Sequence, residues 1–150
     1  MASQKYKDIL SLLRKEYGNK AQDGQTLNDL GLTFFDRKTW GGVHPYDTVP
    51  IEKYKNKTYL IVNTDDSNGP GIHWMSIIKN KSNIYVYDSF GRRTSNVLKK
   101  FNRRVLKGGY RIVESKRDAE QSDYQEDCGL RCIAWLLVAR KYGIRKALTI

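Results

Sequence analysis

The sequence predicts an α+β domain in which a mixed, mainly antiparallel sheet packs on a buried central helix. Three observations predict it. Residues 128–142 are apolar nearly all round at helix length. Residues 72–88 read as two strands about a short polar turn. Helical apolar spacing occurs both before and after the strands. At 150 residues the chain is expected to form one domain, 1–150, with a single sizeable core.

Taken in order, residues 4–17 read as a helix: Tyr6, Ile9, Leu10, Leu13 and Tyr17 recur at helical spacing, Ser3 is the expected cap and Gly18 the stop. Residues 18–57 mix Gly, Asn, Asp and Pro with Leu27, Leu30, Leu32, Phe34, Phe35 and Trp40, and are expected to be irregular but packed. Thr58–Asn63 is a short apolar strand, and residues 65–70 form a turn-rich loop. Ile72–Lys79 and Ile84–Asp88 flank Asn80-Lys81-Ser82-Asn83 as a hairpin. Residues 94–107 form one amphipathic helix, with Val97, Leu98, Phe101 and Val105 on the apolar side and Gly108-Gly109 ending it. Tyr110–Glu114 is a fourth strand, residues 115–127 a polar loop, and residues 128–142 the buried helix, stopped by Gly143.

Composition narrows the function classes. With 39% hydrophobic and 29% charged residues, the chain matches soluble globular proteins, and its apolar runs are too short to span a bilayer. No membrane association is expected. The start, Met1-Ala2-Ser3-Gln4-Lys5, carries no secretory pattern, and the two cysteines imply no disulfide framework. An intracellular, reducing setting is therefore expected. Net charge is +11 and the pI about 9.7, which favours an acidic partner. Residues 91–117 hold ten Lys or Arg against the single acid Glu114, so this stretch carries +9 of the total.

Thiol catalysis requires a cysteine, a base within reach, a group that orients the base and donors for an oxyanion. Cys128 opens the buried helix, where unpaired N–H groups and the helix dipole favour a thiolate. Gly129 removes a side chain beside the sulfur and would let substrate backbone approach. Cys132, one turn on, suits the core. His44 lies in a Pro-bearing loop and suits a packing or surface role, whereas His73 heads a strand. A hairpin centred on Lys81-Ser82 pairs residues whose numbers sum to 163, which sets His73 opposite Phe90 and Met75 opposite Asp88. His73 and Asp88 are then diagonal neighbours on one face, roughly 7–8 Å apart at the backbone, within reach of a carboxylate–imidazole bond. Asp88 alone could equally be a strand-ending turn residue. The two Cys and two His match no structural-zinc spacing, so no metal is expected.

Four segments together, Ile61-Val62-Asn63-Thr64, Gly71-Ile72-His73-Trp74-Met75, Tyr85-Val86-Tyr87-Asp88-Ser89-Phe90-Gly91 and Gln121-Ser122-Asp123-Tyr124-Gln125-Glu126-Asp127-Cys128-Gly129-Leu130, resemble the adenain family of adenovirus maturation proteases. The SUMO-deconjugating proteases are more distant relatives. The resemblance covers residues 30–140 approximately and implies an adenain-like fold with the catalytic cysteine at the N-terminus of the buried helix. It implies Cys128 as nucleophile, His73 as general base and Asp88 as its orienter. Gln121 and the Cys128 N–H would form the oxyanion hole, with Gln125 a second candidate, and Trp74 would flank a narrow channel that favours Gly-containing sites. Asp88 stands where the adenains carry Glu. Tyr110 occupies the nearest position to the strand cysteine through which adenains link a peptide, so no disulfide-bound peptide cofactor is expected.

Three function classes follow. The first is a cysteine endopeptidase cutting viral capsid or core precursors, in the virion and the host cell interior, as a monomer requiring no cofactor. The second is an isopeptidase acting on a ubiquitin-like tail. The third is a non-catalytic basic module. Arg92, Arg93, Lys99, Lys100, Arg103, Arg104 and Lys107 are the expected nucleic-acid contacts, to phosphates and without regard to sequence. The resemblance adds viral DNA as a possible activator.

Overall fold

The computed structural model describes residues 2–18, 20–65, 73–116 and 127–150. Helices α1 (Ala2–Tyr17) and α2 (Gly24–Phe34) precede strand β1 (Trp40–Pro45), a 3-10 turn (Ile51–Lys53) and strands β2 (Thr58–Asn63), β3 (Trp74–Asn80) and β4 (Asn83–Tyr87). Short helix α3 (Thr94–Val97) and α4 (Lys99–Lys107) lead to β5 (Arg111–Glu114), and α5 (Cys128–Tyr142) and α6 (Ile144–Ala147) follow.

The five strands form one sheet in sequence order. Its centre, β2-β3-β4, is antiparallel, while the edges β1 and β5 run parallel to their neighbours. The hairpin adopts the expected register: Ser76 pairs Tyr87, Ile77 pairs Val86 and Asn80 pairs Asn83. Alternation then divides the core. Tyr59, Ile61 and Ile78 point to the side covered by α1, α2 and α5, whereas Leu60, Val62, Met75, Ile77 and Val86 meet Leu98, Phe101 and Val105 on the other.

Helix α5 is buried along almost its whole length, from Cys128 to Leu136 without a break. Ser76 donates to the Cys132 carbonyl at 3.0 Å and latches this helix to β3. Tyr6, Leu10 and Leu13 of α1 pack in the same core cluster as α5. No helix among the described residues is long and apolar enough to cross a membrane.

The structure corrects several expectations. Ala2 is already helical, so Ser3 lies inside α1 and does not cap it. The segment taken as irregular contains α2 and β1. Asp23 caps α2 by accepting from Thr26 N–H at 2.8 Å. Gly31 is required there, because a Cβ would sit 2.0 Å from the Trp40 ring. Strand β1 was concealed by Gly41-Gly42, which form a bulge, and by Pro45, which an edge strand tolerates. The expected 94–107 helix is two helices, broken where Leu98 turns to φ −129° and ψ 56° to drop its side chain into the core.

Candidate active site

His73 immediately precedes β3, and its carbonyl accepts from Thr64 N–H at 2.9 Å, which extends the β2–β3 ladder to the sheet's end. Asp88 immediately follows β4. Hairpin register therefore brings the two to the same end of adjacent strands, and His73 Nε2 meets Asp88 Oδ1 at 2.6 Å. Both are buried, with side-chain exposures of 6% and 2%. The bond at Nε2 leaves Nδ1 as the other ring nitrogen, and Cys128 is near enough to the imidazole to help raise its pKa.

The Asp88 carboxylate is fully engaged. Besides His73, Oδ1 accepts from Phe90 N–H at 3.1 Å, and Oδ2 accepts from Arg92 N–H at 3.1 Å and Arg92 Nε at 2.8 Å. Gly91, at φ +69°, turns the chain so that these donors face back onto the acid. Asp88 thus both ends a strand in a turn and holds the imidazole. Burial would raise its pKa, but the bonds from His73, Arg92 and Phe90 outweigh burial and hold it at about 2. Burial likewise would lower the His73 pKa, but the interactions with Asp88 and Cys128 prevail and the imidazole keeps its proton above its ordinary range. The Phe90 ring lies 4.8 Å from the His73 ring and 4.9 Å from the Arg92 guanidinium, filling the space between them.

Cys128 is the first residue of α5 and is buried, as is Cys132, and both thiols are free. Complete burial pushes the Cys132 thiol well above its ordinary pKa, which suits a core residue. Gly129 is buried at the α2–α5 contact, where a Cβ would lie 2.9 Å from Leu27 Cδ2, so Leu27 occupies the room this glycine makes. Trp74 is half-buried beside His73, and its indole donates to the Gln22 carbonyl at 3.1 Å, tying the approach to α2 onto β3. His44 meets the Gly41 carbonyl at 2.7 Å and the Tyr54 hydroxyl at 3.3 Å, in a separate packing cluster. Gln121 and Gln125 lie outside the described residues.

Two basic residues are placed differently from expectation. Arg92 is a partner of Asp88, and Arg104 pairs with Glu52 through Nη2 at 2.7 Å, so acids from outside the basic stretch occupy both. The sequence pattern missed these pairs because Glu52 is distant in the chain and Arg92 is turned back by Gly91. Arg93, Lys99, Lys100, Arg103 and Lys107 are exposed on or beside α3 and α4. The acid Glu114 caps the other end of the same unit, accepting from Thr94 N–H at 2.6 Å.

A cysteine at a buried helix N-terminus, near an imidazole that a carboxylate holds, is an arrangement for nucleophilic attack on an acyl carbon. Comparison with known families gives that chemistry a context. No curated protein matches the chain. The model of the adenovirus endoprotease family, in contrast, matches residues 50–147, a span that includes β2, the His73–Asp88 hairpin and α5. Since this span is most of the chain, the protein belongs to the adenovirus endoprotease family and is a cysteine endopeptidase acting on protein substrates.

Proposed function

We propose that this endopeptidase cleaves viral capsid and core precursor proteins during virion maturation, at Gly-containing sites, with Cys128 as nucleophile. The observation that supports this reading is the buried His73–Asp88 pair with Cys128 acting on the same imidazole, within the family-matched span. Cys128 Sγ attacks the scissile carbonyl carbon as His73 Nδ1 carries the thiol proton. The tetrahedral oxyanion is held by the Cys128 N–H and the Gln121 amide. His73 returns the proton to the leaving amine, and a thioester remains on Cys128. Water, deprotonated by His73, then releases the acid product and restores the thiol. Asp88 stays ionised throughout and keeps the imidazole oriented. Trp74 borders the acyl site, whereas the expected clearance at Gly129 is taken up by Leu27.

No cofactor enters these steps. Viral DNA serves as an activator, held through phosphates by Arg93, Lys99, Lys100, Arg103 and Lys107, which would restrict cleavage to particles and to the infected cell interior. The enzyme acts as a monomer. The deciding experiment digests a peptide library with wild type and Cys128→Ala and includes an isopeptide-linked ubiquitin-like substrate. Cleavage after or before Gly in linear peptides, lost in the variant, is expected. Cleavage of the isopeptide alone would move the enzyme to the deconjugating class, and activity surviving Cys128→Ala would remove the nucleophile assignment.

A further inference from the structure

The residue before the nucleophile is a buried acid, and the catalytic steps above make no use of it. Asp127 has 3% exposure and stands at the N-cap position of α5. An Asp there ordinarily caps the helix by accepting from its first N–H groups. Asp127 makes no such bond. Its carboxylate is turned instead toward two guanidiniums. Oδ2 accepts from Arg14 Nε of α1 at 2.6 Å, and Arg14 Nη2 closes on the same oxygen; Oδ1 accepts from Arg131 Nε at 2.9 Å.

The network continues. Arg131, with 6% side-chain exposure, also interacts electrostatically with the Tyr6 hydroxyl of α1. That hydroxyl lies 2.7 Å from the Tyr87 hydroxyl. Tyr87 stacks on Trp135 of α5 with ring centroids 5.3 Å apart, and it is the residue before Asp88. One connected set of side chains from α1 therefore reaches the neighbour of the nucleophile and the neighbour of the acid.

Electrostatics explains the pairing. An unpaired buried carboxylate carries a large desolvation penalty. Two guanidiniums on one carboxylate offset that penalty. The geometry is stringent as well, because catalytic groups must be held within about half an ångström of their working positions.

We propose that α1 is a positioning element of the active site, with Arg14, acting through Asp127, and Tyr6, acting through Tyr87, as positioning residues that hold Cys128 and Asp88 in register with His73. The proposal rests on the reading of Cys128 as nucleophile, and its test separates the two. Arg14→Gln, Arg14→Lys, Tyr6→Phe, Asp127→Asn and the Arg14→Gln/Asp127→Asn pair are compared with Cys128→Ala on one fluorogenic peptide. kcat, KM, melting temperature and the rate of Cys128 alkylation by iodoacetamide are recorded. Arg14 is partly exposed and Tyr6→Phe removes only a hydroxyl, so these variants keep the fold if Asp127→Asn does not.

Arg14→Gln is expected to lower kcat and the alkylation rate about 10-fold or more, in line with an ångström-scale misplacement, while KM stays within about twofold. Lys should restore part of the loss, and Tyr6→Phe should lower kcat less. The pair should be less damaging than the product of its single changes, since both changes remove the same Arg14–Asp127 contact. A lowered melting temperature with wild-type kcat in Arg14→Gln and Tyr6→Phe, or an effect confined to KM, overturns the proposal. Turnover in Cys128→Ala would instead overturn the nucleophile reading, whatever Arg14 does.

Discussion

Helices α4 and α5 lie on opposite sides of one sheet and are opposites in character. α5 is buried from its first residue, and the charges near its start, Asp127 and Arg131, are paired with each other and with α1. α4 buries Phe101 and Val105 and leaves Lys99, Lys100, Arg103 and Lys107 facing outward. On the buried helix a side chain has one allowed place, and changing it disturbs geometry. On the exposed helix, position matters little beyond the field that the cations sum to. The first helix is suited to chemistry and the second to long-range attraction.

The strongest way to break this contrast is at the buried end. Cys128→Ala and His73→Ala should each reduce kcat by about 10⁴ or more, the scale seen when one member of a catalytic unit is removed, with the fold retained by circular dichroism. Measurable turnover comparable to wild type in either variant would show that α5 holds no nucleophilic centre.

Asp88→Asn comes next and has two signed consequences. Asp88 is held at about 2 in the folded state against an ordinary 3.8, so its bonds contribute stability that is present above pH 4 and lost as pH falls toward 2. That contribution is roughly 2 kcal/mol, and the Asn variant should lack it and unfold in acid with a shallower pH dependence. His73, in turn, owes its raised pKa partly to Asp88. With the carboxylate gone, burial is less opposed, and the alkaline limb of the pH–rate profile should move to lower pH. An unchanged limb would mean that Asp88 does not set the state of the imidazole.

The exposed helix is tested by salt. Reversing Lys99, Lys100, Arg103 and Lys107 to Glu should flatten the log–log salt dependence of duplex DNA binding by about 0.9 for each lost phosphate contact. Peptide cleavage without DNA should be unchanged. A wild-type slope near zero would make this face ordinary solvated surface. The smallest effect is expected where the two kinds of region mix: Glu52→Gln, which breaks the half-exposed Arg104 pair, should change stability by less than about 1 kcal/mol in a melting measurement.

How legible these features were in the sequence follows the same division. α5 could be read because its apolar residues surround the helix, and the hairpin because its register is fixed by a two-residue loop, Lys81-Ser82, between alternating strands. That register alone brings His73 to Asp88. α2 was concealed by Gly24 and Gly31, which lower helix propensity, although Gly31 is needed where Trp40 presses against the backbone. β1 was concealed by its glycines and proline for the related reason that an edge strand needs fewer strand-forming side chains. The break at Leu98 leaves no compositional trace, because Leu favours helix and only tertiary packing turns it. The pairs Arg104–Glu52 and Arg14–Asp127 were illegible because ion pairs between distant residues carry no periodicity.

The span between Arg14 and Asp127, 113 residues of chain, bears on how the enzyme comes into being. Residues of α1 leave the ribosome long before α5 and must wait for it before they find their partners. Contacts this far apart in sequence form late, after the loop-closure entropy of the intervening chain has been overcome. A nascent chain that already displays the His73–Asp88 hairpin holds Arg14 but still lacks the thiol and the acid, Asp127, that Arg14 is to pair with. Proteolytic competence is thereby delayed until synthesis has run past the helix that completes it, and a half-made enzyme cannot cut the proteins being translated around it.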